Sequence, residues 1–281
     1  MQRIRVAPTA GQADEWALVL TAAGIPNEIE IDATGWIVLA AADDSARAQA
    51  LLAAYDAEHR VDVAPPSAPY PWISGVALGL LLLWLFTLTG PARRPSPWLE
   101  RGAAAAGRIV AGEIWRAVTA LTLHADVVHV VGNAVATAVL LPPLVQRFGA
   151  GVSLGLLVVA GALGNLLATV VHDPRHIAVG FSTATFGAVG ILTALRLLPG
   201  EAPARARRWT ALVAGVLLLV TLGAAPGADL TAHALGFAAG IAVGFAAGVT
   251  VRPRPRPPIQ WVVGAAVVVV VAACWGVAWR G

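Results

Sequence analysis

Four polar side chains stand near the starts of three otherwise apolar runs: His129 and Asn133 in one, Ser182 in a second and His233 in a third. A serine hydroxyl is a poor nucleophile until a neighbouring base takes its proton, and a histidine titrating near neutrality is the usual base. Ser182 and His233 are candidates for that pair. His129 and Asn133 are spaced i,i+4 and share a helix face. Each offers an N–H to the oxyanion of a tetrahedral intermediate, a contribution of ~3 kcal/mol per donor. Phe186 lies one turn after Ser182, where its ring could pack on the base and hold it. Taken singly, these positions have plainer readings. Gly180, Gly187, Gly190, Gly236 and Gly240 suit close helix packing, and one intramembrane histidine can be a satisfied core residue. Nucleophile, base and donors arriving from three segments at matching depth are harder to explain that way.

The elements that must position them follow from composition. The 281 residues are 58% hydrophobic and only 12% charged, with a mean hydropathy of +0.74. Soluble domains run nearer a quarter charged, which excludes an ordinary soluble enzyme and a disordered or collagen-like chain. Seven apolar runs predict spans at about 71–90, 125–146, 150–171, 181–199, 209–226, 230–251 and 258–279, so the lipid bilayer is the expected partner. With antiparallel spans, the starts of the second, fourth and sixth (His124, His129, Ser182, His233) face one side. An ionisable residue within a span is costly and is by default a functional candidate.

Residues 1–66 hold four Arg against ten acids, a net of −6, whereas residues 67–281 hold fifteen Arg against six acids, a net of +9. The basic residues sit in short loops between apolar runs, which sets topology and argues against nucleic acid. Eight of them (Arg147, Arg196, Arg205, Arg207, Arg208, Arg252, Arg254, Arg256) fall in alternate loops, predicting that this side and the N-terminus are cytoplasmic. The long 91–124 connection, on the opposite side, nevertheless carries five Arg. The first long apolar run begins near Pro71, so no signal peptide is expected. The single Cys274 allows no internal disulfide and reads as a small buried hydrophobe.

The leading 63 residues read as a small βαββα accessory domain. Strands are expected at Arg3–Val6, 28–32 and 35–39, with helices from Ala13 to Ala23 and from an Asp43-Asp44-Ser45 cap through Tyr55. Trp16 and Trp36 are expected in its core, and no pattern there names a partner. A Pro-rich linker covers 64–70, a six-helix unit 71–251, and an Arg/Pro loop with a seventh helix 252–281.

Over about residues 70–251 the sequence resembles the rhomboid intramembrane serine proteases. Gly112-Glu113-x-Trp115-Arg116 looks like the family's long first loop with its Trp-Arg pair. His124-x4-His129-x3-Asn133, Gly180-x-Ser182 with Gly187 and Gly190, and Ala232-His233-x-x-Gly236-x-x-x-Gly240 match its remaining motifs in order. The resemblance implies a bacterial-type, α-helical polytopic membrane protein with a rhomboid-like six-helix core. It also implies a Ser-His dyad without a third acid, needing no cofactor, and single-pass transmembrane proteins as substrates. Ser182 would be the nucleophile and His233 the general base and acid. Asn133 and His129 would complete the oxyanion hole, supported by His124, Phe186, Gly180, Trp115 and Arg116. The active site would open to the face opposite the cytoplasm in the cell membrane. The added seventh span is similar to that of members with an extra C-terminal helix.

Thr183 departs from the pattern, which usually has glycine after the serine. A β-branched side chain there is expected to fill space beside the oxyanion site. Asp229, one turn before His233, reads as a helix N-cap. His172, Asp173, Arg175 and His176 read as a solvated loop, and no zinc-binding spacing of the H-E-x-x-H kind occurs. The competing function is a catalytically inactive rhomboid-like protein that binds transmembrane helices.

Overall fold

The computed structural model describes residues 1–32, 35–58, 70–198, 213, 215–217, 229–251 and 255–280. The chain divides into two units, Met1–Ala64 and Pro65–Gly281.

In the first unit, Thr9 caps α1 (Ala10–Ala22) by accepting the Gln12 N–H, which starts the helix three residues ahead of the sequence expectation. Ala13, Trp16 and Leu20 recur at helical spacing and are the buried residues of α1. They pack with β1 (Gln2–Ala7), β2 (Asn27–Asp32), β3 (Gly35–Ala40) and α2 (Ser45–Glu58). Strand β3 is central and antiparallel to both neighbours. With both its edges paired it carries the continuous buried run Ile37–Ala40, while the edge strand β2 leaves Ile31 exposed. Asp56 ties the unit together by accepting the Trp16 indole N–H at 2.9 Å and pairing with Arg5. Trp36 is only partly buried against the core. Most of the expected linker lies outside the described residues.

The second unit is helical. Helices α3 (Trp72–Thr89), α7 (Val127–Phe148), α8 (Ala150–Val171), α10 (Leu230–Thr250) and α11 (Pro257–Arg280) are long and apolar enough to cross a membrane, and the protein is a multi-pass membrane protein. They coincide with five of the seven expected spans. The expected fourth span is α9 (Ser182–Leu197), whose 16 residues rise only ~24 Å, short of a ~30 Å hydrocarbon core. It can be short because neighbouring helices rather than lipid surround it: twelve of its sixteen residues are buried. The expected span 209–226 falls almost entirely outside the described residues.

The 91–124 connection, expected only as a long loop, is folded. It contains α4 (Pro97–Gly102), β4 (Ala104–Ala105), α5 (Ala106–Val110) and α6 (Arg116–Thr119). Strand β4 pairs with β5 (Ile177–Ala178), just before Ser182. The apolar core is built by α3, α7, α8 and α9 through Leu82, Val130, Leu144, Phe148, Leu157 and Ile191. Helix α11 leans on α8 and carries little buried surface. Gln260 fixes that contact, donating to Phe148 O at 2.8 Å and accepting the Val152 N–H at 3.1 Å. Cys274 in α11 is half-buried rather than buried.

Candidate active site

Two helix starts meet at the centre of the second unit because their facing surfaces are made of small residues. A Cβ at Gly236 or Gly240 would run into the backbone of Thr183 or Gly187, so these glycines let α9 and α10 touch main chain to main chain. The seam brings Ser182, at the first position of α9, to His233, one turn into α10. Oγ of Ser182 and Nε2 of His233 are 3.0 Å apart. His233 is buried and Ser182 half-buried. The Phe186 ring lies 4.6 Å from the His233 ring, tilted by 31°, so it limits the imidazole's freedom on that side.

Gly180 has φ +133°, a backbone conformation only glycine adopts without strain. It also has no room for a side chain. A Cβ there would lie 2.7 Å from His129 Nε2 and 3.4 Å from Ser182 Oγ, so both side chains border one small space. His129 Nδ1 accepts a weak hydrogen bond from the Ala125 N–H at 3.4 Å. That assignment leaves the proton on Nε2, the nitrogen beside Gly180. Asn133 is buried; its amide donates one N–H to His129 O at 3.1 Å and accepts from the Thr185 hydroxyl at 3.3 Å. Its second N–H has no partner among the described residues. Helix α9 has no side-chain cap, and its first N–H groups, Ser182's included, have no intrahelical acceptor. His129 Nε2 from α7 and the positive end of α9 therefore border the Ser182 hydroxyl. This arrangement can stabilise a developing oxyanion.

His124 is fully buried and lies behind the site. Its Nε2 accepts the Phe181 N–H at 3.4 Å, and its ring meets His129 edge-on at 5.4 Å. Burial first, and the neighbouring His129 second, push its pKa down to about 3. Asp126 caps α7 by accepting the His129 N–H at 2.9 Å and pairs with Arg93 at 3.2 Å. The His129 amide hydrogen bond outweighs Asp126's desolvation, and Arg93 assists in holding its carboxyl below the ordinary range.

Trp115 and Arg116 are not at the serine but in the folded connection. Arg116 is 2% exposed, pairs with Glu113 at 2.6 Å and donates to the carbonyls of Glu100 and Ala103 at 2.9 and 3.0 Å. Trp115 precedes α6, its buried indole N–H without a partner among the described residues.

The side chain of Thr183 does not fill the space beside the oxyanion donors. It points the other way, its hydroxyl donating to Asn165 Oδ1 at 2.9 Å and its methyl seated against Gly164 and Gly236. Asn165 in turn donates to Ala117 O at 2.9 Å. Thr185, which holds the Asn133 amide, was not singled out in the sequence. Its signal was its place three residues after Ser182, on the same helix face.

Asp229 caps α10, accepting the Ala232 N–H at 2.9 Å. Burial alone would raise its carboxyl, but that hydrogen bond together with His172 and His176 outweighs it and holds the group below the ordinary range. The loop before β5 is thus less solvated than the sequence suggests. Asp173 and Arg175 are exposed, whereas His172 and His176 are half-buried and turned onto Asp229.

The fold is a helical polytopic membrane unit with a serine and a histidine in contact between helix starts, preceded by a small α+β unit. Residues 111–249 match the family model of the Rhomboid domain, and the chain belongs to the rhomboid family. RHOMBOID-like protein 7 of Arabidopsis thaliana is 35% identical over 166 residues, 54% of this chain and 49% of its own length. Rhomboid-related protein 2 of Mus musculus is 36% identical over 78 residues, covering 28% of this chain and 26% of its own. Rhomboid protease GluP of Bacillus subtilis is 29% identical over 117 residues, covering 42% and 23%. The chain thus spans about half the length of the first of these relatives and about a quarter of the other two.

Proposed function

We propose that the chain is an intramembrane serine endopeptidase that hydrolyses peptide bonds in or near the transmembrane segments of single-pass proteins. The observation that carries this reading is the 3.0 Å contact between Ser182 Oγ and His233 Nε2. In the proposed reaction Oγ attacks the scissile carbonyl as Nε2 takes its proton, and His233 returns the proton to the leaving amine. The Ser182 N–H, His129 Nε2–H and the free Asn133 N–H receive the oxyanion. Water then attacks the acyl-enzyme with His233 again as base. Asp229 takes no part as a third acid in this scheme, being turned to Ala232 and the two loop histidines. We further assign the chain to the cell membrane with its N-terminus cytoplasmic and the Ser182 face opposite.

A fluorophosphonate probe tests the reading on the detergent-solubilised chain. Wild type labels, while Ser182→Ala and His233→Ala, shown folded by an unshifted thermal transition, do not. A folded wild type that fails to label overturns it and leaves the family's non-catalytic, helix-binding role.

A further inference from the structure

We propose that His172, His176 and Asp229 form a zinc site between the end of α8 and the start of α10. His172 follows the last residue of α8, His176 lies four residues on in the loop, and Asp229 precedes α10 by one residue, so 53 residues separate the second ligand from the third. Their candidate ligand atoms all lie within 4.8 Å of one another. Both imidazoles present Nε2 to the same carboxylate, His172 at 3.0 Å and His176 at 2.7 Å, and their rings stack at 3.8 Å.

Two histidine nitrogens and a carboxylate oxygen are a common zinc donor set, with metal–ligand bonds of ~2.0–2.2 Å. Tetrahedral bonds of that length separate ligand atoms by ~3.3 Å, so a cation entering the cluster would widen both contacts to Asp229 and swing the stacked imidazoles apart until their Nε2 lone pairs meet at one point. Three ligands leave the fourth position to water. A small cavity lined by His172, His176, Asn165 and Thr169 adjoins the cluster on the α8 side. The side chains are 18%, 32% and 19% exposed, which leaves a path for the ion.

The location gives the ion a consequence. It would tie α8 to the first residue of the turn that carries His233. Asp229 O accepts the His233 N–H at 3.0 Å, so zinc occupancy would stiffen the mount of the base without touching Ser182. This proposal does not depend on the chain being a protease.

The test titrates zinc chloride into the full chain, purified in detergent through a tag free of histidine. Binding is followed by calorimetry and by the visible absorption of cobalt(II) as a tetrahedral reporter. Wild type and Ser182→Ala should each take up one zinc and show a raised thermal transition. His172→Gln and His176→Gln should weaken binding at least tenfold, with metal-free thermal transitions close to wild type. These two variants spare the α10 cap, which Asp229→Asn would disturb. Absence of uptake by wild type, uptake unchanged in both histidine variants, or uptake abolished by His129→Ala or His233→Ala instead would each overturn the assignment.

Discussion

At the scale of single residues, the burial of His124 makes the fold acid-sensitive. Its folded pKa of about 3 lies far below the ~6.5 of an unfolded histidine. Between those values the unfolded chain binds a proton that the folded chain refuses. Stability from this group is therefore whole above pH ~6.5 and falls as pH drops toward ~3, by up to ~1.4 kcal/mol per unit. His124→Gln should show a shallower loss of thermal transition temperature from pH 7 to 4 than wild type, whatever its absolute stability; equal slopes would refute the account. Thr183 leads to a second prediction. Because its hydroxyl satisfies Asn165 and its methyl fills the notch at Gly164 and Gly236, Thr183→Gly should lower stability by ~1–3 kcal/mol without raising turnover on a transmembrane substrate. Thr183→Ser, which keeps the hydroxyl, should lose less. A faster, equally stable glycine variant would mean that threonine does crowd the oxyanion site. The sequence made Ser182, His233, His129 and Asn133 candidates because polar groups are rare within apolar runs. It hid the orientation of Thr183 because Asn165 lies in another helix, and the His172–His176–Asp229 cluster because its members are joined only by folding.

At the scale of elements, what holds the site is a seam and a brace. The seam is the glycine face of α10 against α9, and its tolerance is small: a methyl at Gly236 meets Thr183 main chain. Gly236→Ala should push the helix starts apart and lower kcat at least tenfold, with a smaller change in thermal stability. Measured fluorophosphonate labelling rates equal to wild type would show that the seam can give way without moving His233. The brace is the folded 91–124 connection, joined to the approach to Ser182 by the β4–β5 pairing and by the Gly180 N–H donating to Ala120 O at 3.0 Å. Arg116 fastens it through Glu113 and two carbonyls. Arg116→Ala would strand those carbonyls and should cost ~2–3 kcal/mol, read as an earlier thermal transition and faster proteolysis between residues 91 and 124. Long helices were legible from apolar run length alone. The short α4, α5 and α6 were not, because their stability comes from buried polar contacts such as Thr119 to Gly102 O at 2.7 Å, which leave no periodic signature.

At the scale of the whole membrane unit, the five arginines of the 91–124 connection bear on orientation. They share a face with the starts of α7, α9 and α10 and with the end of α11, since Trp98 packs against Trp275 and Trp279 at 5.1 and 5.0 Å. Counted as bare charges they would weaken the topology signal of the opposite loops. Four of the five have partners among the described residues. Arg93 pairs with Asp126 at 3.2 Å, Arg108 and Arg116 with Glu113 at 4.0 and 2.6 Å, and Arg101 donates to Ala278 O at 3.1 Å. These arginines are spent on holding the connection together. Of the eight on the other side, Arg147 reaches Val251 O at 3.3 Å and joins the α7 end to the α10 end, so the loops it belongs to share that face. The proposed orientation keeps the eight-arginine side in the cytoplasm. Alkaline phosphatase, active only after export, should therefore be active when fused after Arg280 and inactive when fused after Glu201. The reversed pattern would place the Ser182 face in the cytoplasm, and with it the side from which a substrate's cleavage site reaches the serine.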